Sequence, residues 1–166
     1  MREQLVAWAG DCVVRGAVDL DDGRLSDQVN DRDLLTFFGA SLEALDDGHR
    51  LELDELEVER RELHLIEARG RRGDPTRRLR TVEERVALQV GPFMVTGNLH
   101  RAPNTAPLAA LSRKTRFVPV TDAVIDVEGR TIRQQVVLVN RDLITGTWPL
   151  ASIPIEPYPD MGASAP

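Results

Sequence analysis

Residues 91–144 decide the fold class of this chain, and they read GPFMVTGNLHRAPNTAPLAALSRKTRFVPVTDAVIDVEGRTIRQQVVLVNRDLI. Within them, 118–127 and 132–144 are rich in Val and Ile and are separated by Glu128 and Gly129, a pair that suits a turn. Apolar, β-branched runs divided by turn residues are typical of neighbouring strands. This stretch therefore predicts β-structure.

A strand at 86–99 precedes this pair. We expect it to break at Gly91 and Pro92, because proline has no N–H to donate to a sheet ladder. Further on, Thr105 is suited to cap a helix and Pro107 to occupy its first turn. The second half of the chain thus predicts one short helix between its first and second main strands.

The first half repeats this order of elements. Residues 4–20 predict one or two strands, 25–30 a short helix, and 34–45 a further strand. A third strand is expected at 51–66, with a bulge or a helical turn at 59–62, where the apolar alternation fails.

The two halves correspond at a spacing near 80 residues. The aligned pairs are Gly16 with Gly97, Leu42 with Val124, and Leu63 with Leu143. Few residues are identical, and the shared order of strand, short helix and two further strands is the stronger evidence for an internal duplication.

We therefore predict a mainly β protein made of two tandem, similar small units. Each unit is barrel-like or sandwich-like, carries one short helix and packs with the other as a pseudo-two-fold pair. The expected boundaries are 1–68 for the first β unit, 69–85 for an Arg-rich linker, 86–148 for the second β unit and 149–166 for a proline-rich, extended tail.

Two segments resemble an uncharacterised bacterial domain family that joins an RLSD-x-x-N segment to a strand ending near Thr-Asp-Ala and a later strand ending near Asn-Arg. The residues that carry the resemblance are Arg24, Leu25, Ser26, Asp27 and Asn30 in the first half, and Thr121, Asp122, Ala123, Asn140 and Arg141 in the second. The family has no established activity, so the resemblance implies a domain type and no reaction.

Composition predicts what kind of core the protein has and where it is located. The sequence is 42% hydrophobic but only 4% aromatic, which predicts an aliphatic core. No run approaches the roughly 18 apolar residues of a membrane helix, and the N-terminal residues lack the pattern of a signal peptide. The lone Cys12 excludes a disulfide within one chain. We expect a cytoplasmic protein with no membrane partner and no cofactor.

Charge is distributed unevenly along the chain. Residues 1–68 hold 7 arginines and 18 acids, whereas the whole chain has a net charge of −6. An acidic first half argues against general nucleic-acid binding, which needs a basic face. The one basic cluster is Arg69, Arg71, Arg72, Arg77, Arg78 and Arg80. It suits phosphates or an acidic protein surface, and its alternative interpretation is a solvated linker.

Catalytic and metal-binding motifs are weak. The acidic segment that starts at Asp19 does not match a calcium loop, because Gly23 stands at the fifth position rather than the sixth. His100, Ser112 and Asp122 supply residue types for nucleophilic catalysis, but no nucleophile elbow surrounds the serine. The histidines do not form an i, i+4 pair, so no metal is expected.

An apolar surface in the second half is the strongest candidate for binding. The run 136–139 carries no charge, and the tail is apolar for an end segment, so both are costly to expose. The expected assembly surface comprises Val136, Leu138, Trp148, Ile153, Ile155 and Tyr158. We predict a homodimer through this half. The alternatives are a tail that binds another protein and a tail that packs on its own chain.

The leading functional hypothesis is a non-enzymatic binding or assembly module that self-associates. Two other classes stay open. One is a regulatory module that binds a small anion or nucleic acid through the Arg-rich loop, with nucleic acid the less favoured ligand. The other is an enzyme with an unrecognised site.

Overall fold

The computed structural model describes residues 1–68, 80–112 and 115–150. These residues form a mainly β structure with a single ten-stranded antiparallel sheet. The elements of the first half are β1 Arg2–Ala9, β2 Cys12–Asp19, α1 Leu25–Asp31, β3 Leu34–Ala44, β4 Arg50–Glu59 and β5 Leu63–Glu67. Those of the second half are β6 Val82–Val90, β7 Phe93–Arg101, β8 Phe117–Val127, β9 Arg130–Asn140 and β10 Ile144–Pro149.

Turn chemistry places the strand breaks where the sequence predicts them. Glu128 and Gly129 both have positive φ, at 47° and 70°, which is the geometry of a tight hairpin turn between β8 and β9. Gly91, at φ 58°, opens the turn between β6 and β7. The helical turn expected at 59–62 is also confirmed as a 3-10 helix, Arg60–Glu62, between β4 and β5.

The two predicted helices differ in outcome. The first is confirmed as α1, and it buries Val29 against the core. In the second half, Ala109–Ser112 forms only a short 3-10 helix. The hydroxyl of Thr105 donates to the carbonyl of Ala102 at 2.6 Å instead of capping a helix. Leu108 has φ 61°, which is incompatible with a continuous α-helix.

The strands lie in the order β10-β6-β7-β8-β9-β5-β1-β2-β3-β4. Each half therefore has the same internal order, with its last strand beside its first. The halves meet where β9 pairs with β5, in the register Leu65 to Val139 and Ile66 to Leu138; we call this pairing the junction. The small barrels expected for the two units are not observed, because among the described residues β4 does not pair with β5, β10 does not pair with β9, and all ten strands form one sheet that is not closed.

The strands at the junction are buried on both faces. On β5, Ile66 belongs to the core of the first half and Leu65 to that of the second. On β9, Leu138 packs into the first core, and Val137 and Val139 pack into the second. A strand that is covered on both faces carries apolar residues in succession, which explains why 136–139 contains no polar residue.

Helix α1 is tied to the second half through Asn30. The Asn30 side chain accepts a hydrogen bond from the Phe117 N–H at 2.8 Å and donates to the Phe117 carbonyl at 3.2 Å. Its amide also donates to the Ser26 carbonyl at 2.8 Å. The last residue of the RLSD-x-x-N segment therefore fixes the start of β8 beside the helix, and Phe117 is 1% exposed there.

The segment between the halves is only partly described. Strand β6 starts at Val82 and so extends into the stretch 69–85 that was expected to be a linker. Residues 69–79 lie outside the described ranges.

Candidate binding edge

The outer strand β4 carries a dense row of acids, and we call the side that is paired with no strand of the described ranges the acidic edge. Five of its ten residues are acidic, namely Glu52, Asp54, Glu55, Glu57 and Glu59. All five are exposed. Like charges along an unpaired strand repel an incoming strand of the same kind and block edge-to-edge association. The acidic edge is therefore protected from pairing with its own copy.

The opposite outer strand, β10, contains no charged residue, and we call the side that pairs with none of the described strands the neutral edge. Trp148 is 49% exposed on this strand and Leu150, which follows it, is 38% exposed. A Cβ placed on Gly146 would lie 2.5 Å from the Trp148 ring, so the indole lies directly over this glycine. The neutral edge thus combines an uncharged backbone with a large exposed aromatic side chain.

The register with β6 shows which backbone groups of β10 point outward. Thr147 is opposite Leu88 and Trp148 is opposite Ala87. The Leu150 N–H donates to the Arg85 carbonyl at 2.9 Å. Because hydrogen-bonded pairs alternate in an antiparallel ladder, the backbone groups of Trp148 and Leu150 point toward β6, whereas those of Thr147 and Pro149 point outward. Proline is tolerated at such an outward position, where an N–H would point to solvent.

The structure places the expected assembly residues in different environments. Leu138 is 2% exposed at the junction, and Val136 is half-buried on the same strand. The apolar run 136–139 is therefore covered by the first half of the same chain, which corrects its interpretation as an exposed surface. Trp148 remains on the surface of the described residues. Ile153, Ile155 and Tyr158 lie outside the described ranges.

The arginine cluster falls almost entirely outside the described residues. Arg80 is exposed, just before β6. The other five members, Arg69, Arg71, Arg72, Arg77 and Arg78, lie in the range that the structure does not describe.

The residue types considered for catalysis do not form a relay. His100 Nε2 lies 2.7 Å from the Thr121 hydroxyl, and its Nδ1 lies 3.3 Å from the Thr81 hydroxyl. Within the described ranges, no hydrogen bond joins His100 to Ser112 or Asp122. Nor does any group of three or more His, Cys, Asp or Glu side chains in those ranges come together as a possible metal site.

A shallow groove of about 470 Å³ lies near the start of β3, lined by Asp33, Leu34, Glu59, Arg61 and Arg116. Its charges are of both signs, and several are paired. Asp33 binds Arg60 at 2.9 Å, and Arg116 binds Asp142 at 3.1 Å. Glu59 and Arg61 bind each other, so each charged residue that lines this groove already has a partner of opposite charge.

His64 is half-buried at the irregular start of β5, close to the hairpin turns of both halves. Its ring lies 5.8 Å from that of Phe93, and a Cβ on Gly91 would lie 2.5 Å from its Nε2. Burial lowers the pKa of His64, while the Glu62 backbone and the Asp11 carboxylate act in the opposite direction. The fold therefore favours the neutral imidazole.

We expect His64 to make the protein less stable in mild acid. Below the ordinary histidine pKa the unfolded chain binds the proton more readily, so the free energy of unfolding falls as the pH decreases. With His64→Gln, this loss between pH 7.5 and 5.5 should be smaller than in the wild type. Urea unfolding at both pH values measures the difference. His49→Gln, at an exposed turn, is the control and should follow the wild type; a His64→Gln variant that loses as much stability as the wild type would contradict the assignment.

Comparisons with known proteins identify no relative of this chain. No protein-family model matches the chain, and no match is found among curated proteins or solved structures. The likeness of the RLSD-x-x-N segment to a bacterial domain family therefore stays an expectation. No helix in the described residues has both the length and the apolar character needed to cross a bilayer.

Proposed function

We propose that this protein is a non-enzymatic binding or assembly module that associates with itself through the neutral edge of its sheet. The contrast between the two outer strands is the observation that carries the proposal. Five acids line β4, whereas β10 carries no charge and exposes Trp148. Soluble proteins cover, charge or pair their edge strands, and of these two edges only β4 is charged.

The junction provides an internal precedent for this kind of contact. There, β9 and β5 pair edge to edge and bury apolar side chains on both faces. On β10 the N–H and C=O of Thr147 and the C=O of Pro149 point outward and can bond another strand. Strand addition of this kind uses main-chain hydrogen bonds for affinity and a few side chains for specificity. The exposed indole of Trp148 is suited to the second role.

We also infer that the two halves are copies of one unit. Their identical strand order supports this, and so does a shared irregularity. The β2–β3 register shifts at Gly16 and the β7–β8 register at Gly97. The opposing strands have positive φ at Gly39, 57°, and at Asp122, 48°.

The strand registers change two of the three residue pairs that the sequence alignment gives. They keep Gly16 with Gly97 and place Leu42 opposite Val14 and Ile125 opposite Val95. Leu42 then corresponds to Ile125. Likewise Leu63 corresponds to Ile144, since each directly follows a 3-10 helix, Arg60–Glu62 in the first half and Arg141–Leu143 in the second. Both partners are one residue later than the sequence alignment gives.

The expected result for the neutral edge is a dimer that Trp148→Glu disrupts. An exposed tryptophan at the centre of an interface contributes about 2 kcal/mol or more, so the dissociation constant should rise roughly 30-fold. Light scattering at micromolar concentration measures the mass. Leu51→Glu is the matched control, because Leu51 is 51% exposed on β4 and Trp148 is 49% exposed on β10. A wild-type mass near 18.5 kDa, the single-chain value, would refute self-association.

A further inference from the structure

We propose that two copies of this chain pair antiparallel through β10, with the two-fold axis passing beside Thr147. This inference rests on the proposed function and adds the partner, the symmetry and the register. The resulting contact is the same patch on both copies and closes as a dimer.

The outward-facing backbone groups restrict the position of the axis. Thr147 and Pro149 face outward, and proline has no N–H. An axis beside Pro149 would place two residues without donors opposite each other. An axis beside Thr147 lets the Thr147 N–H of each copy donate to the Thr147 carbonyl of the other. In this register the outward N–H of Thr147 is therefore hydrogen-bonded on both copies.

Side-chain size favours the same register. An axis beside Trp148 would bring the two indoles directly opposite each other. An axis beside Thr147 places Trp148 of each copy opposite Gly146 of the other, as a non-hydrogen-bonded pair with Cα atoms about 4.5 Å apart. Because each indole lies over Gly146 of its own chain, the two rings lie side by side across the axis in this register.

The alternative geometry pairs the neutral edge of one copy with the acidic edge of another. The junction supplies its register: Ile66 is opposite Leu138, and the equivalent positions are Thr147 on β10 and Glu57 on β4. This pairing is head-to-tail and leaves one edge open at each end, so it would continue into chains. It would also bury Glu57 where the junction has the apolar Leu138, which is costly for an unpaired carboxylate. The antiparallel β10 pair avoids this burial.

Cysteine cross-linking tests the register, because only a residue on the axis faces its own copy. With Thr147→Cys, the two sulfur-bearing residues have Cα atoms about 5.5 Å apart, which is within disulfide range. Pro149→Cys is the matched control, since the two copies of position 149 are about 13 Å apart along the strands. Burial and Asp11 raise the pKa of the native Cys12 to about 11, so this thiol is a poor competitor in mild oxidation.

After mild oxidation, most Thr147→Cys chains should run at twice the chain mass on a denaturing gel, while Pro149→Cys and the wild type run as single chains. Light scattering of the unoxidised samples tests self-association separately from the register. A wild-type dimer whose Thr147→Cys form does not cross-link overturns the register and leaves self-association standing. A ladder of higher oligomers from Thr147→Cys combined with Glu57→Cys overturns the two-fold arrangement in favour of head-to-tail pairing. A monomeric wild type overturns both proposals.

Discussion

Replacing Phe117 with alanine is expected to lower the free energy of unfolding by about 3–5 kcal/mol, because a large, fully buried aromatic side chain is lost from a packed core. Phe117 starts β8 but belongs to the core of the first half, so the variant loosens the contact between the halves as well as the local strand. Urea denaturation followed by circular dichroism measures the change.

The chain contains a matched control for this variant. Leu34 starts β3 as Phe117 starts β8, and each pairs with the last residue of the following strand, Glu59 of β4 and Asn140 of β9. Leu34 is 49% exposed, so Leu34→Ala should change the free energy of unfolding by less than about 0.5 kcal/mol. Equal losses from the two variants would contradict the burial of Phe117 in the core of the first half.

The second large effect is expected from Gly97→Ala, at about 2–4 kcal/mol of destabilisation, because a rigid backbone contact leaves no room for the added methyl group. A Cβ on Gly97 would lie 2.5 Å from Val120 Cγ1 and 2.8 Å from the Thr121 carbonyl oxygen. The first contact can be relieved by a small side-chain movement, but the second requires β8 to shift away from β7.

Thermal unfolding is a suitable measurement for this variant, and Gly23→Ala is its control. The atom nearest to a Cβ on Gly23 is Gln28 Nε2, at 3.5 Å, which is an ordinary contact. We therefore expect Gly23→Ala to remain close to the wild type. A Gly97→Ala variant as stable as the wild type would contradict the close approach of β7 and β8 at this bulge.

Local features of the fold could be predicted from the sequence because they depend on neighbouring residues. The turn at Glu128 and Gly129, the break at Gly91 and the helix that contains Val29 all follow from turn residues and apolar spacing. The α-helix predicted near Thr105 is not observed, so a local sequence pattern alone can be insufficient. A good capping residue does not decide the conformation when Leu108 takes a positive φ.

The junction could not be predicted in this way. A run such as 136–139 has the same appearance whether it lies on an exposed edge or is buried on both faces. The distinction depends on β5, because Leu65 of β5 pairs with Val139 of β9, which lies more than 70 residues further along the chain. No local pattern specifies that pairing. The neutral edge had a visible signal, namely the absence of charge around Trp148, but its importance depends on β10 being an outer strand.

The position of β5 has a consequence for synthesis on the ribosome. Strand β5 emerges before its partner β9, and at about 5–20 residues per second the interval is on the order of 4–15 s. During that time the buried side chains that later enter the second core, Trp8, Val13, Leu45 and Leu65, have no partner from the second half. The nascent first half therefore presents an apolar strip beside an unpaired strand, which is a substrate for chaperones and a site of aggregation. Conditions that slow translation between residues 68 and 130 should lower the soluble yield.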